Sequence, residues 1–380
     1  MPTATVQKTP ISAIQHLGQS TWIDYMSREF IDSGKLAALI RDDNLQGMTS
    51  NPTIFEKAIN SGSDYDDQIR ALLKQTHDTF TIYDELTRAD IARALDLLRP
   101  TYDATKGAHG FVSLEVNPLY AFDTEKTTAE AKRLWKLLDR PNTMIKIPGT
   151  AEGLPAIEEC LFSGVNINVT LLFSVEAYEK VARAYVAALK RRAAAGKPID
   201  HLASVASFFV SRIDAEVDKE LDAAAAKTTD ANRKQQLAAL KGKIAIANAK
   251  NAYQVFQKVC AEPDFQALKA KGARVQRVLW ASVGVKNPAY PDTLYVDELI
   301  GPDTVSTMPP ETYDAVRDHG KARPSLLDHP ELAAKQVAQL AELGIDFKAA
   351  TDKLLKVGVE RFSKDFETLL AGLAKKLATF

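Results

Sequence analysis

Four short apolar runs in this chain are each interrupted by one polar or ionisable residue: Ile23-Asp24-Tyr25, Leu114-Glu115-Val116, Ile145-Lys146-Ile147 and Val169-Thr170-Leu171. A strand buried on both faces reads as near-continuous apolar sequence. A lone acid, amine or hydroxyl inside one therefore needs a reason. Taken singly, a strand lysine is more often an edge gatekeeper, and a strand acid more often a cap or surface ion pair. Four interruptions on four separate strands favour groups that point to one place and satisfy each other there, because an unpaired buried charge is costly. An inward lysine is either a point charge for an anion or a nucleophile toward a carbonyl. As a nucleophile the amine must be neutral, so an ordinary lysine pKa near ~10.4 has to fall to roughly 7–8. The apolar setting Met144-Ile145-Lys146-Ile147-Pro148 favours that shift, and neighbouring carboxylates oppose it. Loss of water from the carbinolamine calls for a proton shuttle, for which Glu115 with Thr170 is the candidate. Carbon–carbon cleavage calls for a second base, for which Asp24 is the candidate.

Two later runs end in anion-binding chemistry. Ser207-Phe208-Phe209-Val210-Ser211-Arg212 closes with a hydroxyl and a guanidinium, and Ala281-Ser282-Val283-Gly284-Val285-Lys286 with a hydroxyl, flexible backbone and an ammonium. Arg212 alone reads as a surface ion-pairing residue. Two such clusters on successive strands point to phosphate.

These residues need a scaffold that gathers strand ends. Strand candidates are Trp22–Met26, Gly47–Ser50, Phe111–Val116, Thr143–Ile147, Asn166–Phe173, Leu202–Val210, Val275–Val283 and Thr304–Met308. Helical patterns separate them. Tyr178, Val181, Ala182, Tyr185, Ala188 and Leu189 recur at helical spacing behind the cap Ser174. Leu134, Trp135 and Leu138 follow the cap candidates Thr127 or Thr128, and Gly196, Pro198 and Gly344 read as helix stops. Strand–helix alternation predicts a parallel sheet, and eight strands predict an α/β fold of the (β/α)8 TIM-barrel type with extra helices. The competing doubly wound sheet lacks a Gly-rich phosphate turn. The chain is read as one domain over 1–380, with long helical connections at about 52–110 and 211–274. Within the second, Lys219–Lys250 reads as solvent-facing helices. The tail, about 330–380, is helical, and its stripe Val359, Phe362, Phe366, Leu369 and Leu370 must pack on the barrel or on a neighbouring subunit.

Composition narrows the function class. Lys plus Arg number 48 and Asp plus Glu 49, for a net charge of −1, which lacks the basic field of a nucleic-acid binder. No apolar run is long enough to span a membrane, and the opening MPTATVQKTPISAIQHLGQS lacks a secretory pattern, so a cytoplasmic protein is expected. Cys160 and Cys260 stand apart and are expected to be reduced. The six histidines show no HxH, HxxxH or HExxH spacing, so no metal site is predicted.

Together with the segments Trp22-Ile23-Asp24, Met48-Thr49-Ser50-Asn51-Pro52-Thr53, Ser113-Leu114-Glu115-Val116, Met144 to Pro148, Asn166-Ile167-Asn168-Val169-Thr170-Leu171-Leu172-Phe173-Ser174 and Ser207 to Arg212, the chain resembles the transaldolase family, class I aldolases of barrel fold, and within it the longer bacterial type. The matching segments span roughly Trp22 to Met308. The resemblance implies a Schiff base on Lys146, acid/base work by Asp24, and water handling by Glu115 with Thr170. It implies that Asn51 and Asn168, with Thr49 nearby, hold the dihydroxyacetone unit, and that Ser207, Arg212 and Ser282 take the phosphate. The implied reaction moves a dihydroxyacetone unit from sedoheptulose 7-phosphate or fructose 6-phosphate to an aldose phosphate (glyceraldehyde 3-phosphate or erythrose 4-phosphate). It belongs to the non-oxidative pentose phosphate pathway and uses no metal or organic cofactor. Where shorter members carry an arginine two residues after the serine matched by Ser282, this chain has Gly284, and Lys286 is the candidate replacement.

Four rival readings exist, of which a purely structural barrel leaves the inward charges unexplained. A fructose 6-phosphate aldolase shares fold and Schiff base but releases dihydroxyacetone; Glu115 and Phe209 favour transfer by resemblance. A non-catalytic sugar-phosphate barrel has no need of Lys146 between Asp24 and Glu115. A metal-dependent aldolase needs clustered ligands.

Overall fold

Strands that are apolar on both faces need partners along both edges, and here they find them by closing on themselves. In the computed structural model, which describes residues 9–380, eight parallel strands pair in sequence order into a closed barrel. They are β1 Gln19–Asp24, β2 Gly47–Thr49, β3 Phe111–Glu115, β4 Thr143–Pro148, β5 Ile167–Leu172, β6 Ser204–Phe209, β7 Arg277–Ala281 and β8 Thr304–Met308. β8 returns to β1 with Gln19 opposite Thr304 and Ile23 opposite Met308. Residues 1–8 of the opening segment lie outside the described residues.

All eight strand candidates are strands; β5, β6 and β7 start one or two residues later than expected, and β1 starts earlier. β1 begins three residues before the apolar run at Trp22, through Gln19, Ser20 and Thr21, all buried. These side chains find partners, although Gln19 Oε1 has none among the described residues. Gln19 donates to Leu299 O at 2.6 Å and to Thr304 Oγ1 at 3.0 Å. A strand whose polar side chains are paired across the sheet leaves no hydrophobic signal in the sequence.

Ser174 caps the helix Val175–Ala194 by accepting from Ala177 N. The predicted cap at Thr127 or Thr128 is not found. Both lie inside the helix Thr124–Leu138, where their hydroxyls donate to Tyr120 O and Thr124 O, and Asp123 is the cap. A threonine can bond a carbonyl of the preceding turn as readily as it caps, so its type alone does not mark a helix start. The solvent-facing reading of Lys219–Lys250 also fails at its end. Ala245, Ala247, Asn248 and Ala249 are buried in the helix Ile244–Ala261, which packs against Val175–Ala194 and Pro330–Glu342. Alanine permits that close approach, and amphipathic counting understates it.

The first long connection carries the helices Pro52–Asn60, Asp66–Leu73 and Thr79–Ala104; the second carries Ser211–Lys227, Ala231–Leu240, Ile244–Ala261 and Pro263–Lys269. The 31-residue terminal helix, Phe347–Leu377, lies over the C-terminal mouth of its own barrel. Its stripe buries Val359, Phe362, Phe366 and Leu369, with Phe366 edge-on to Tyr83 at 5.2 Å. Gly358 lets the helix come close to β5, since a Cβ there would stand 3.1 Å from Leu171 Cδ2. Gly358→Val should destabilise the protein by about 1–3 kcal/mol through overpacking. A denaturation midpoint equal to wild type would show that the helix has slack at this contact. Among the described residues no helix is long and apolar enough to cross a membrane.

Candidate active site

The C-terminal ends of the strands converge beneath the terminal helix on a cleft of about 570 Å³. Asp24 and Thr49 end β1 and β2 and stand opposite each other in the sheet; Glu115 ends β3 and stands opposite Lys146 of β4. Lys146 is 4% exposed. Its Nζ lies 3.0 Å from Glu115 Oε2, donates to Ser50 O at 3.1 Å, and sits 5.6 Å from the centre of the Phe362 ring. Asp24 Oδ1 accepts from Thr49 Oγ1 at 2.6 Å, and Thr49 in turn meets Thr307 Oγ1 at 2.8 Å. The amine thus has one carboxylate beside it and a second held on a neighbouring wall.

β5 departs from regular pairing at the site. Its register with β6 shifts between Val169 and Leu172, and Leu171 adopts a φ of +62°. A left-handed leucine costs of order 1–3 kcal/mol and persists only where its surroundings hold it. Here the irregularity accompanies Thr170 facing the cleft while Leu171 meets the terminal helix at Gly358. Ser282, at φ +54°, repeats this after β7, and its hydroxyl lies 3.1 Å from that of Ser211.

Burial sets the electrostatics. It raises the pKa of Asp24 against the opposing pull of Lys146 and the Thr49 hydrogen bond. Burial also raises the pKa of Glu115, again opposed by Lys146. The Lys146–Glu115 contact is an ion pair without hydrogen-bond alignment, so neither Glu115 oxygen, nor Thr170 Oγ1, finds a hydrogen-bond partner among the described residues. At the other end of the cleft three cations gather: Arg212, Lys286 and Arg361. Burial, then the like charge of Arg361, lowers the pKa of Arg212; burial, then Arg212, lowers that of Lys286. Asp365, 3.7 Å from Arg361, and Glu311, which attracts Lys286, offset part of this charge, and the cations that remain in excess prepare a place for an anion.

Of the twelve residues expected from sequence, ten line this cleft: Asp24, Thr49, Asn51, Lys146, Thr170, Ser207, Phe209, Arg212, Ser282 and Lys286. Glu115 and Asn168 do not. Glu115 touches the cleft only through Lys146. Asn168 is fully buried, donating to Ser113 Oγ at 3.0 Å and accepting from Ser207 Oγ at 2.7 Å, so in this structure it orients Ser207. Asn51 combines two tasks: its Oδ1 caps the helix Pro52–Asn60 while the side chain lines the cleft. At position 284 a Cβ would point to within 3.9 Å of Lys286 Nζ, so the Lys286 amine reaches the space that a side chain on residue 284 would enter. Sequence reasoning missed Thr307, Arg361 and Phe362 as cleft residues. Phe362 was visible as part of an apolar stripe, but nothing local tells where that stripe docks. Among the described residues no group of three or more His, Cys, Asp or Glu side chains is arranged to hold a metal ion.

Comparison with known proteins gives the same direction. The family described as transaldolase/fructose-6-phosphate aldolase matches residues 21–373. A protein named transaldolase from Trichodesmium erythraeum is 47% identical over 366 residues, covering 96% of each chain. Those from Acidothermus cellulolyticus and Thermobifida fusca are 47% and 45% identical, covering 97% of this chain and 97% and 99% of their own.

Proposed function

Since this chain belongs to the transaldolase/fructose-6-phosphate aldolase family, we propose that its transaldolase reaction runs through a Schiff base on Lys146. It is an enzyme that transfers a dihydroxyacetone unit from sedoheptulose 7-phosphate or fructose 6-phosphate to an aldose phosphate. The observation that carries the residue assignment is the placement of a buried amine between two carboxylates at one end of a cleft whose other end holds three cations. Lys146 Nζ attacks the C2 carbonyl, and the carbinolamine expels its oxygen as water, with Glu115 and Thr170 passing the protons. The unit to be transferred is C1–C3, so the bond that breaks is C3–C4. Asp24 takes the C4 hydroxyl proton, the C3–C4 electron pair moves into the iminium to give an enamine, and an aldose phosphate leaves. The reverse sequence on a second aldose completes transfer.

Thr49 and Asn51 position the bound unit, and Asn168, behind the cleft wall, orients Ser207. Ser207, Ser282, Arg212 and Lys286 receive the phosphate, joined by Arg361 from the terminal helix, and Phe209 supports Arg212, whose guanidinium lies 5.6 Å from its ring. Lys286 stands in for the charge that Gly284 lacks. Lys286→Gln or Arg361→Gln should each raise KM for the phosphorylated ketose roughly 10–100-fold, the worth of a charged hydrogen bond, while kcat changes little. An unchanged KM in either variant would remove that residue from the phosphate site.

The chain works as one folding domain in the cytoplasm on soluble sugar phosphates. Unpaired Cys160 and Cys260 support a reducing compartment, and the near-zero net charge supports the absence of a nucleic-acid partner. Intact-mass analysis after borohydride treatment with fructose 6-phosphate tests the Schiff base directly. A dihydroxyacetone-sized adduct is expected; bound sugar phosphate with no adduct would overturn the covalent route. Release of free dihydroxyacetone without transfer to an added aldose phosphate would instead favour the simple aldolase.

A further inference from the structure

The opposite, N-terminal mouth of the barrel holds a second cavity, of about 340 Å³. The amino ends of the strands in this fold ordinarily serve stability, yet this mouth is polar and charged. Arg274 and Arg277 line it together with His109, Ser20, Ser204 and one acid, Asp303. Arg274 spends its guanidinium on backbone carbonyls, at 2.8 Å to Asp200 O, 2.7 Å to Lys106 O and also to Gly107 O, so its charge is not cancelled. Arg277, the first residue of β7, donates Nη1 to Ser20 Oγ at 2.6 Å. Its remaining N–H groups have no hydrogen-bond partner among the described residues. Asp303 attracts it from beyond ion-pair distance.

A guanidinium only donates, so Ser20 Oγ accepts from Arg277 and its single proton is free to go to His109 Nδ1, 3.0 Å away. In the tautomer in which Ser20 donates to Nδ1, the imidazole proton sits on Nε2 and supplies a second donor. Burial, then the charge of Arg277, holds the His109 pKa down at about 4, so the ring stays neutral at physiological pH. The cavity therefore carries two cations against one acid and keeps unused donors, and a guanidinium fork with an N–H beside it matches the oxygens of a tetrahedral anion. Its size falls within the roughly 300–1,000 Å³ typical of small-ligand sites.

We propose that this cavity is a second anion site, distinct from the catalytic cleft, that binds a phosphate group between Arg277 and His109. Two sources share that chemistry: free inorganic phosphate and a phosphorylated sugar.

Equilibrium dialysis with labelled inorganic phosphate separates the two ends of the barrel. Wild-type protein should bind two phosphates per chain, Arg277→Gln should lose one, and Arg212→Gln should retain the one at Arg277. Binding there should weaken roughly 10–100-fold in Arg277→Gln. Equal stoichiometry in wild type and folded Arg277→Gln overturns the proposal. Should Arg277→Gln fail to fold, the His109 Nε2–H resonance of the wild type decides: a phosphate-dependent shift supports the site and an unmoved resonance overturns it. Because His109 lies at the far mouth, this readout holds even if Arg212 proves not to bind phosphate. Titration of Arg212→Gln with fructose 6-phosphate then identifies the source. A His109 shift matching that from inorganic phosphate shows that a sugar phosphate fits, whereas a shift with inorganic phosphate alone assigns the free ion.

Discussion

Lys146→Ala should abolish the borohydride-trapped adduct and lower turnover by on the order of 10⁴–10⁶-fold, the scale on which removal of a covalent nucleophile acts. The loss should be chemical, with the barrel intact. Breaking a buried ion pair ordinarily costs about 3–5 kcal/mol, because the abandoned charge has nowhere to go. Glu115 has an escape: burial already raises its pKa, and without the Lys146 charge it takes up a proton. This gives the variant a stability signature with a definite sign. The Glu115 pKa in the folded protein then lies above the ordinary ~4.3 of an unfolded glutamate, so the folded state holds more protons. Relative to wild type, the variant is least penalised at low pH and loses stability as pH rises toward the folded pKa. Lys146→Met, which keeps the apolar stem over Phe362, separates the packing term from the charge term. Thermal unfolding across pH, run beside intact-mass analysis, checks both. A folded Lys146→Ala protein with near-normal turnover would sink the assignment.

Asp24→Ala should leave the adduct in place and stall the step after it. Single-turnover mixing with fructose 6-phosphate should show iminium formation at close to the wild-type rate, with aldose release slower by about 10²–10⁴-fold, the usual worth of a positioned base. The pH profile carries the same information. Asp24 must be ionised to accept the C4 hydroxyl proton, and burial raises its pKa. Wild-type cleavage should therefore fall on the acid side through a pKa above the ordinary ~3.9, and Asp24→Ala should lose that limb. If aldose release in the variant keeps its wild-type rate and acid limb, Asp24 only supports Thr49 and another group is the base.

The chemical residues were legible because strand burial makes polar interruptions conspicuous. Lys146, Asp24, Glu115 and Thr170 each interrupt an apolar run, and only a closed barrel turns four such strands toward one axis. The same contrast failed at Gln19, Ser20 and Thr21, where polar strand residues find partners on neighbouring strands, in loops and on the helix before β1. It also failed at Ala245–Ala249, where small side chains allow burial without a strong apolar signal.

What the sequence determined by itself is therefore the set of strands, their parallel order and the identity of the central groups, since these depend on periodicity and on the cost of burying charge. Tertiary structure alone decided the rest. It placed Asn168 behind Ser207, brought Lys286 into the space opened at Gly284, and laid Arg361 and Phe362 over the cleft. Each of these depends on where one element docks against another far along the chain. Such docking is set by shape at contacts like Gly358 against Leu171, and it leaves no periodic trace in the order of residues.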